Sequence, residues 1–301
     1  MRPIRAVRAA VKPQYVFRPA QLGRRLWWKW RRWHRDRVTV RLPWGMPIRC
    51  FAHDAIGLSI QQLGVFELSV AEVLWRLTNP GELALDVGAN VGQMTAVLAW
   101  RAGGAGRVLA FEPNDDVRAE LTHNVSMWSA RPGIAPIEIS PMALSDRDGR
   151  GALLIPPSYE WNRGIASVVA ADSGGPGARR PVELARLDAL LASGERVGVM
   201  KLDVEGHEAA TLAGATSLLA TRRVRDVVYE DHHRYPSAVS ALLERHGYTV
   251  FAIGGGLWGP RIADPAGPPI HADWESPNYV ATTDPERVRI RLRPRRWQVL
   301  Q

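Results

Sequence analysis

Asp86-Val87-Gly88-Ala89-Asn90-Val91-Gly92 follows directly on the apolar run Leu83-Ala84-Leu85, and the next apolar run, Arg107-Val108-Leu109-Ala110-Phe111, closes on Glu112-Pro113. Gly88 lets a strand turn tightly into a helix, and Gly92, on the first turn of that helix, lets the two pack closely. Glu112 stands 24 residues beyond Gly88, at the carboxyl end of the neighbouring strand. There a carboxylate can accept hydrogen bonds from both hydroxyls of a ribose. The pattern predicts a nucleoside-binding half-site on a parallel α/β sheet.

Dinucleotides and S-adenosylmethionine (SAM) both dock on such an edge. A dinucleotide fingerprint spaces its glycines G-x-G-x-x-G so that pyrophosphate can sit on the helix N-terminus. Here the two residues after Gly88 are Ala89 and Asn90, and that match fails. Asp86, before the turn, would repel pyrophosphate but suits the ammonium of a methionine moiety. Charge therefore favours SAM.

A second cluster runs Val197-Gly198-Val199-Met200-Lys201-Leu202-Asp203-Val204-Glu205-Gly206-His207-Glu208 and leads into a helical stretch over 209–221. The D-V-G-A-N-x-G turn, the A-F-E-P strand end and this K-x-D-V-E-G-x-E block, in this order, resemble the FkbM family of SAM-dependent methyltransferases. The resemblance spans roughly 83–253 and, more faintly, 52–77. It implies a class I methyltransferase fold: a doubly wound, Rossmann-like, mostly parallel sheet of seven strands, the last inserted antiparallel. It also implies methylation of a hydroxyl on a saccharide, glycolipid or other secondary metabolite. Carried onto this sequence, Asp86, Gly88, Asn90 and Gly92 would line the methionine end of SAM, and Glu112 with Pro113 its ribose. The adenine would lie near 142–146, beside Ala143.

The strand and helix pattern extends on both sides. Residues 38–42 and 48–52 flank a Pro/Gly turn as a hairpin-like pair, and 67–77 reads as a helix. Helices over 91–101 and 115–127 alternate with strands over 108–111 and 134–139, and alternation of this kind predicts a parallel sheet. A short strand over 152–155 precedes 156–181, rich in Gly, Pro and Ser and without periodicity. Such a length predicts a functional or a disordered loop, and Asn162-Arg163-Gly164-Ile165-Ala166-Ser167 resembles the family's N-x-G-x-x-S element, read here as a substrate-facing lid rather than a mobile insertion. Further strands follow at 197–202, 225–230 and 248–253, with a helix at 237–246, a glycine- and proline-rich connection at 254–267 and a last strand near 279–282.

Methyl transfer to a hydroxyl calls for a group that removes its proton. Asp203 and Glu205 at the end of one parallel strand, and Glu230 at the end of the next, meet that need as candidate catalytic residues. Neighbouring carboxylates raise one another's proton affinity or coordinate a hard cation. The base reading is favoured, because no spacing fixes a metal site and His207, His232 and His233 form no zinc pattern. Glu205 and Glu208 have a plainer alternative as helix caps, and His207 as a solvated first-turn residue.

Charge divides the 301 residues unevenly. Residues 1–41 hold 13 Lys/Arg against one acid and 287–301 hold six Arg against none, so 42–286 carries 20 basic and 29 acidic groups. An acidic centre argues against nucleic acid as the partner, since phosphate neutralisation supplies most of that affinity. The organisation expected is a basic, partly disordered segment 1–41 with an amphipathic helix, a hairpin and helix over 42–82, a SAM-binding domain over 83–286 and a basic C-terminal tail over 287–301. Within 22–37, Leu22, Leu26, Trp30 and Trp33 form one stripe with arginines opposite. That stripe docks on the domain, lies in an anionic membrane surface, or contacts nucleic acid through Arg–phosphate pairs and Trp stacking. No apolar run reaches the roughly 18 residues of a membrane span, no signal peptide is recognisable, and the single Cys50 excludes an intrachain disulfide. These features predict a cytoplasmic enzyme, peripheral at the inner membrane face on the second reading. An RNA or polyanion methyltransferase and a non-catalytic SAM-binding protein at a membrane surface are the alternatives.

Overall fold

The computed structural model describes residues 12–31, 35–169, 176–270 and 276–301. Helices Pro13–Phe17 and Ala20–Arg31 precede an antiparallel pair, β1 (Arg37–Arg41) and β2 (Pro47–Phe51), and helices Ala55–Leu63 and Leu68–Leu77. The α/β unit follows as β3 (Leu83–Val87), helix Gln93–Ala102, β4 (Arg107–Phe111), helix Asp115–Ser129 and β5 (Ile137–Ser140). Then come β6 (Ala143–Leu144), β7 (Gly149–Ile155), β8 (Ser167–Val169), β9 (Ala178–Ala185), β10 (Val197–Leu202), helices Glu208–Ala213 and Thr216–Ala220, and β11 (Val224–Glu230). Helix Ala238–Arg245, β12 (Thr249–Gly256), β13 (Gly259–Ala263), β14 (Asn278–Thr282) and helix Pro285–Leu292 complete the order.

The large sheet runs β13-β12-β14-β11-β10-β3-β4-β5. From β5 to β11 every pairing is parallel, and β14 enters antiparallel to both β11 and β12. This is the class I methyltransferase arrangement expected from the sequence, with one strand added. The eighth, β13, pairs with β12 across the glycine-rich segment where composition predicts only a connection. Every residue of β3 and of β10 is buried, as strands covered by helices on both faces must be.

Three further departures have physical causes. The stretch 209–221 is two short helices rather than one, broken at Gly214-Ala215. Segment 156–181 contributes β8 and β9 to a four-stranded sheet ordered β6-β9-β7-β8. The first half of β9 is largely solvent-facing and holds Arg179, Arg180 and Pro181, so no alternation marks it as a strand. Helix Ala55–Leu63, absent from the sequence reading, is capped at one end by Asp54, which accepts from Gly57 N, and at the other by left-handed Gly64.

The arginine-rich C-terminal segment is built into the core rather than hanging as a tail. Trp297 and Leu300 are buried, and the Trp297 indole N–H donates to Leu257 O at 2.9 Å. Buried Glu72 accepts from the backbone N–H of Gln298 (2.9 Å) and Val299 (2.8 Å) and from Arg76 Nε (2.6 Å). Arg76 in turn donates to the carbonyls of Arg291, Pro294 and Arg296. Removing one member would strand a buried charge, at a cost of about 3–5 kcal/mol.

At the other end, helix Ala20–Arg31 lies on helix Ala55–Leu63 through Gln21, whose side chain donates to Gln61 O. Leu22 and Trp27 are exposed, while residues 1–11, Arg32 and Trp33 of the expected basic segment lie outside the described residues. Among the described residues no helix is long and apolar enough to cross a membrane.

Candidate active site

The carboxyl ends of β3, β4, β10 and β11 open on one cleft of about 270 Å³. Gly88 makes the turn that shapes it. Its φ is +79°, and a Cβ there would stand 1.8 Å from the carbonyl oxygen of Asp203, so only glycine lets β3 and the end of β10 meet this closely. The N–H groups of Gly88 and Ala89 both donate to Phe111 O at 3.0 Å, which ties the turn to the end of β4.

At that end Glu112 is buried, its two oxygens accepting from Asn90 N (2.8 Å) and Asn114 N (2.9 Å). Burial pushes its carboxyl up to about 7 against these two N–H bonds. Each oxygen keeps a lone pair that can take a further hydroxyl. Pro113, Met142, Ala143, Leu144 and Leu153 form the wall beside it.

The opposite end collects acidic side chains. Lys201 Nζ donates to Gly88 O at 2.7 Å and lies 3.2 Å from Asp203. Burial alone would lower the proton affinity of Lys201, but Asp203 and Asp86 outweigh it and raise the ammonium well above its usual range. Burial, reinforced by the charge of Asp203, pushes Glu205 up to about 7 and Glu230 to about 9. Asp203 beside Glu230 adds to this rise. His232, two residues past β11, places Nε2 3.6 Å from Glu205 and 3.7 Å from Glu230.

Segment 162–168 closes the third side. The Asn162 side chain accepts from Gly164 N, and the Arg163 guanidinium lies over the rings of Phe51 (4.3 Å) and Tyr159 (5.1 Å). The same guanidinium donates to Glu160 at 2.7 Å, so rings and carboxylate together fix it, and Arg163 is among the residues that line the cleft. Three non-glycine residues on the cleft wall, Glu67, Asn90 and Glu205, have positive φ (46°, 50° and 54°). Backbone strain of this kind collects at functional sites.

Asp203, Glu205, Glu230, Gly88, Asn90, Glu112, Pro113 and Ala143 therefore share one cavity, and Asp86 and Gly92 do not. Asp86 is fully buried behind the wall, accepting from Thr95 Oγ1 at 2.5 Å and lying 3.7 Å from Lys201. It is the penultimate residue of β3, aligned with Lys201 rather than ending the strand, and so it anchors that lysine. Gly92 faces Leu121 and Trp128, which a Cβ would meet at 2.6 and 3.1 Å. It serves packing of helix Gln93–Ala102 on helix Asp115–Ser129.

His207 turns away to Ser145 Oγ (3.0 Å), and burial lowers its proton affinity. Glu208 accepts from Val204 N and Gly206 N and so holds the turn that leads into its helix, whose N-cap position, His207, has no side-chain cap. In the sequence His232 stands only among histidines that form no zinc pattern, and no spacing singles out Arg163. Their clue is position alone, one just past a strand end and the other inside the N-x-G-x-x-S element.

A family model, that of the methyltransferase FkbM domain, matches residues 86–250. The AMB antimetabolite synthetase AmbE of Pseudomonas aeruginosa is 28% identical over 243 residues, 66% of this chain and 11% of that protein. The hexuronic acid methyltransferase AglP of Haloferax volcanii is 29% identical over 168 residues, 55% of this chain and 62% of that protein. The match thus spans about a tenth of one relative and about six tenths of the other. A solved methyltransferase FkbM from Methylobacillus flagellatus superposes with a TM-score of 0.41 at 14% identity, covering 74% of this chain and 52% of that one. With the family model matched over more than half of its residues, the chain belongs to the FkbM methyltransferase family.

Proposed function

We propose that this protein is a SAM-dependent O-methyltransferase acting on a hydroxyl of a saccharide-type acceptor. One observation carries the reading: a buried carboxylate with free lone pairs at one end of the cleft faces a cluster of proton-holding side chains at the other.

The residues fit the cofactor. Glu112 offers two oxygens to a vicinal diol, Met142, Ala143 and Leu144 offer an apolar wall to a purine, and Asn90 with the Gly88 turn borders the space between. When bound, SAM supplies a methyl group already activated on a sulfonium. What the protein adds is positioning, desolvation and a place for the acceptor's proton.

Glu205 is the group that takes this proton. Its carboxyl is poised near neutral pH, and His232 beside it stabilises the anion. Glu230 stays protonated at neutral pH and serves as a hydrogen-bond donor. Asp203, held by Lys201, maintains that proton on Glu230.

The saccharide acceptor is supported by the similarity to a hexuronic acid methyltransferase. A second reading, a hydroxylated secondary metabolite, is favoured by the similarity to part of an antimetabolite synthetase. Incubation with methyl-labelled SAM and either a hexuronic acid glycoside or a hydroxy amino acid, followed by NMR of the product, separates them. Label on a sugar oxygen supports the first, and label on nitrogen or carbon of either compound rejects O-transfer.

A further inference from the structure

Helices Pro13–Phe17 and Ala20–Arg31 sit on the domain with hydrogen-bonding side chains inward. Gln14, Tyr15 and Gln21 are buried, Gln21 donates to Gln61 O at 3.0 Å, and Arg25 lies over the Tyr15 ring and donates to its hydroxyl at 3.1 Å. The apolar side chains are the ones left in solvent, with Val16, Leu22 and Trp27 exposed at 42%, 43% and 46%. Helices that served only to close a core would reverse this order, burying the aliphatic and aromatic groups and leaving the glutamines in water.

A distant segment joins the same surface. Trp258, at the β12–β13 turn, is 57% exposed, and its ring meets Phe17 edge-on at 5.9 Å. Val16 and Leu22 flank the Arg18-Pro19 turn between the two helices, where Gln21 N donates to Arg18 O and Leu22 N to Pro19 O. Charge around these groups has one sign, since residues 12–31 hold six Lys/Arg and no acid. Arg18 and Arg24 stand close enough for one charge to act on the other, and exposed Arg261 lies against Gly256 beside the Trp258 turn.

Indoles and aliphatic groups ringed by guanidiniums suit an anionic bilayer, whose headgroup region takes the apolar groups while its phosphates take the cations. An RNA strand would engage the arginines and tryptophans but leave Val16 and Leu22 in water. We propose that this face docks on an anionic phospholipid bilayer, with Val16, Leu22, Trp27 and Trp258 entering the headgroup region and Arg18, Arg24 and Arg261 on lipid phosphates.

Flotation of the full chain with vesicles of phosphatidylcholine, and of a three-to-one mixture of phosphatidylcholine and phosphatidylglycerol, tests it. The chain should float with the mixed vesicles and not with the neutral ones, less so as salt rises. Leu22→Ser and Trp258→Ser should each weaken binding by about tenfold, and Arg18→Gln and Arg24→Gln by about fivefold each, all with SAM affinity unchanged. The one natural cysteine, Cys50, is buried, so Leu22→Cys can carry a nitrobenzoxadiazole dye selectively, and its emission should shift to the blue on the mixed vesicles. No flotation, equal flotation with both vesicle types, or binding that leaves the dye and the four substitutions unaffected overturns the proposal. So does tighter binding to single-stranded RNA than to the mixed vesicles, or lipid-free dimerisation that Leu22→Ser abolishes, since either gives this face to another partner.

Discussion

At the β4 end of the cleft each oxygen of Glu112 accepts a backbone N–H, from Asn90 and Asn114, whereas at the β10–β11 end Glu205 and Glu230 are bounded by the side chains of Asp203 and His232. Both ends bury carboxylates, and burial raises the proton affinity of each. The difference lies in what holds them. Backbone donors fix a group in one geometry and suit a ligand that is the same in every turnover. Side chains that share protons can change their protonation within a reaction cycle, which is what proton removal from an acceptor demands.

Substitutions should therefore act differently at the two ends. Glu205→Gln should lower kcat by about 10²- to 10⁴-fold while leaving SAM affinity intact, because only proton removal is lost. In the parent protein kcat should rise with pH through about 7 as Glu205 ionises, and that limb should vanish in the variant. Equal turnover by both proteins across pH 5–9 would move the base elsewhere.

Gly88→Ala tests the joint between the ends. A Cβ at +79° and against the Asp203 carbonyl should cost about 2–4 kcal/mol of stability, visible in chemical denaturation, and should damage both SAM binding and turnover. Damage confined to one end would show that the turn does not couple them. At the backbone-held end alone, Glu112→Ala should weaken SAM binding by about 1–3 kcal/mol with circular dichroism unchanged. Undiminished affinity by calorimetry would remove Glu112 from the cofactor site.

The smallest effect concerns stability against pH. Glu230 binds its proton more tightly folded, at about 9, than the ordinary glutamate value of 4.5. Its contribution is therefore fully present below about 4.5, declines as pH rises above it, and is gone above about 9. Glu230→Gln should shrink the fall in melting temperature between pH 5 and 9 by a few degrees. An identical pH profile for both proteins would mean that the carboxyl is not held protonated.

The same contrast governs how much the sequence discloses. Glycine turns and a strand-end glutamate have fixed spacings, so the placement of Gly88, Asn90 and Glu112 on one cleft could be read directly, as could that of the Asp203–Glu205 block. The hairpin expected at 38–42 and 48–52 forms within one residue as β1 and β2. Asp86 misled because β3 is buried throughout, and without alternation the sequence cannot tell which face a residue takes. His232 and Arg163 have no spacing rule. They enter the cleft because β11 and segment 162–168 end beside it. The arginines near the C-terminus read as a solvated tail because six Arg stand there against no acid. Yet Trp297, Val299 and Leu300 are enough to seat the segment, and Arg287 pairs with buried Asp226 at 2.8 Å.

The most direct test is a crystal structure with S-adenosylhomocysteine. Both ribose hydroxyls should lie on the Glu112 carboxylate, with the sulfur facing the side of the cleft that holds Glu205 and His232. A ribose bound away from Glu112, or a sulfur turned from those side chains, would contradict it.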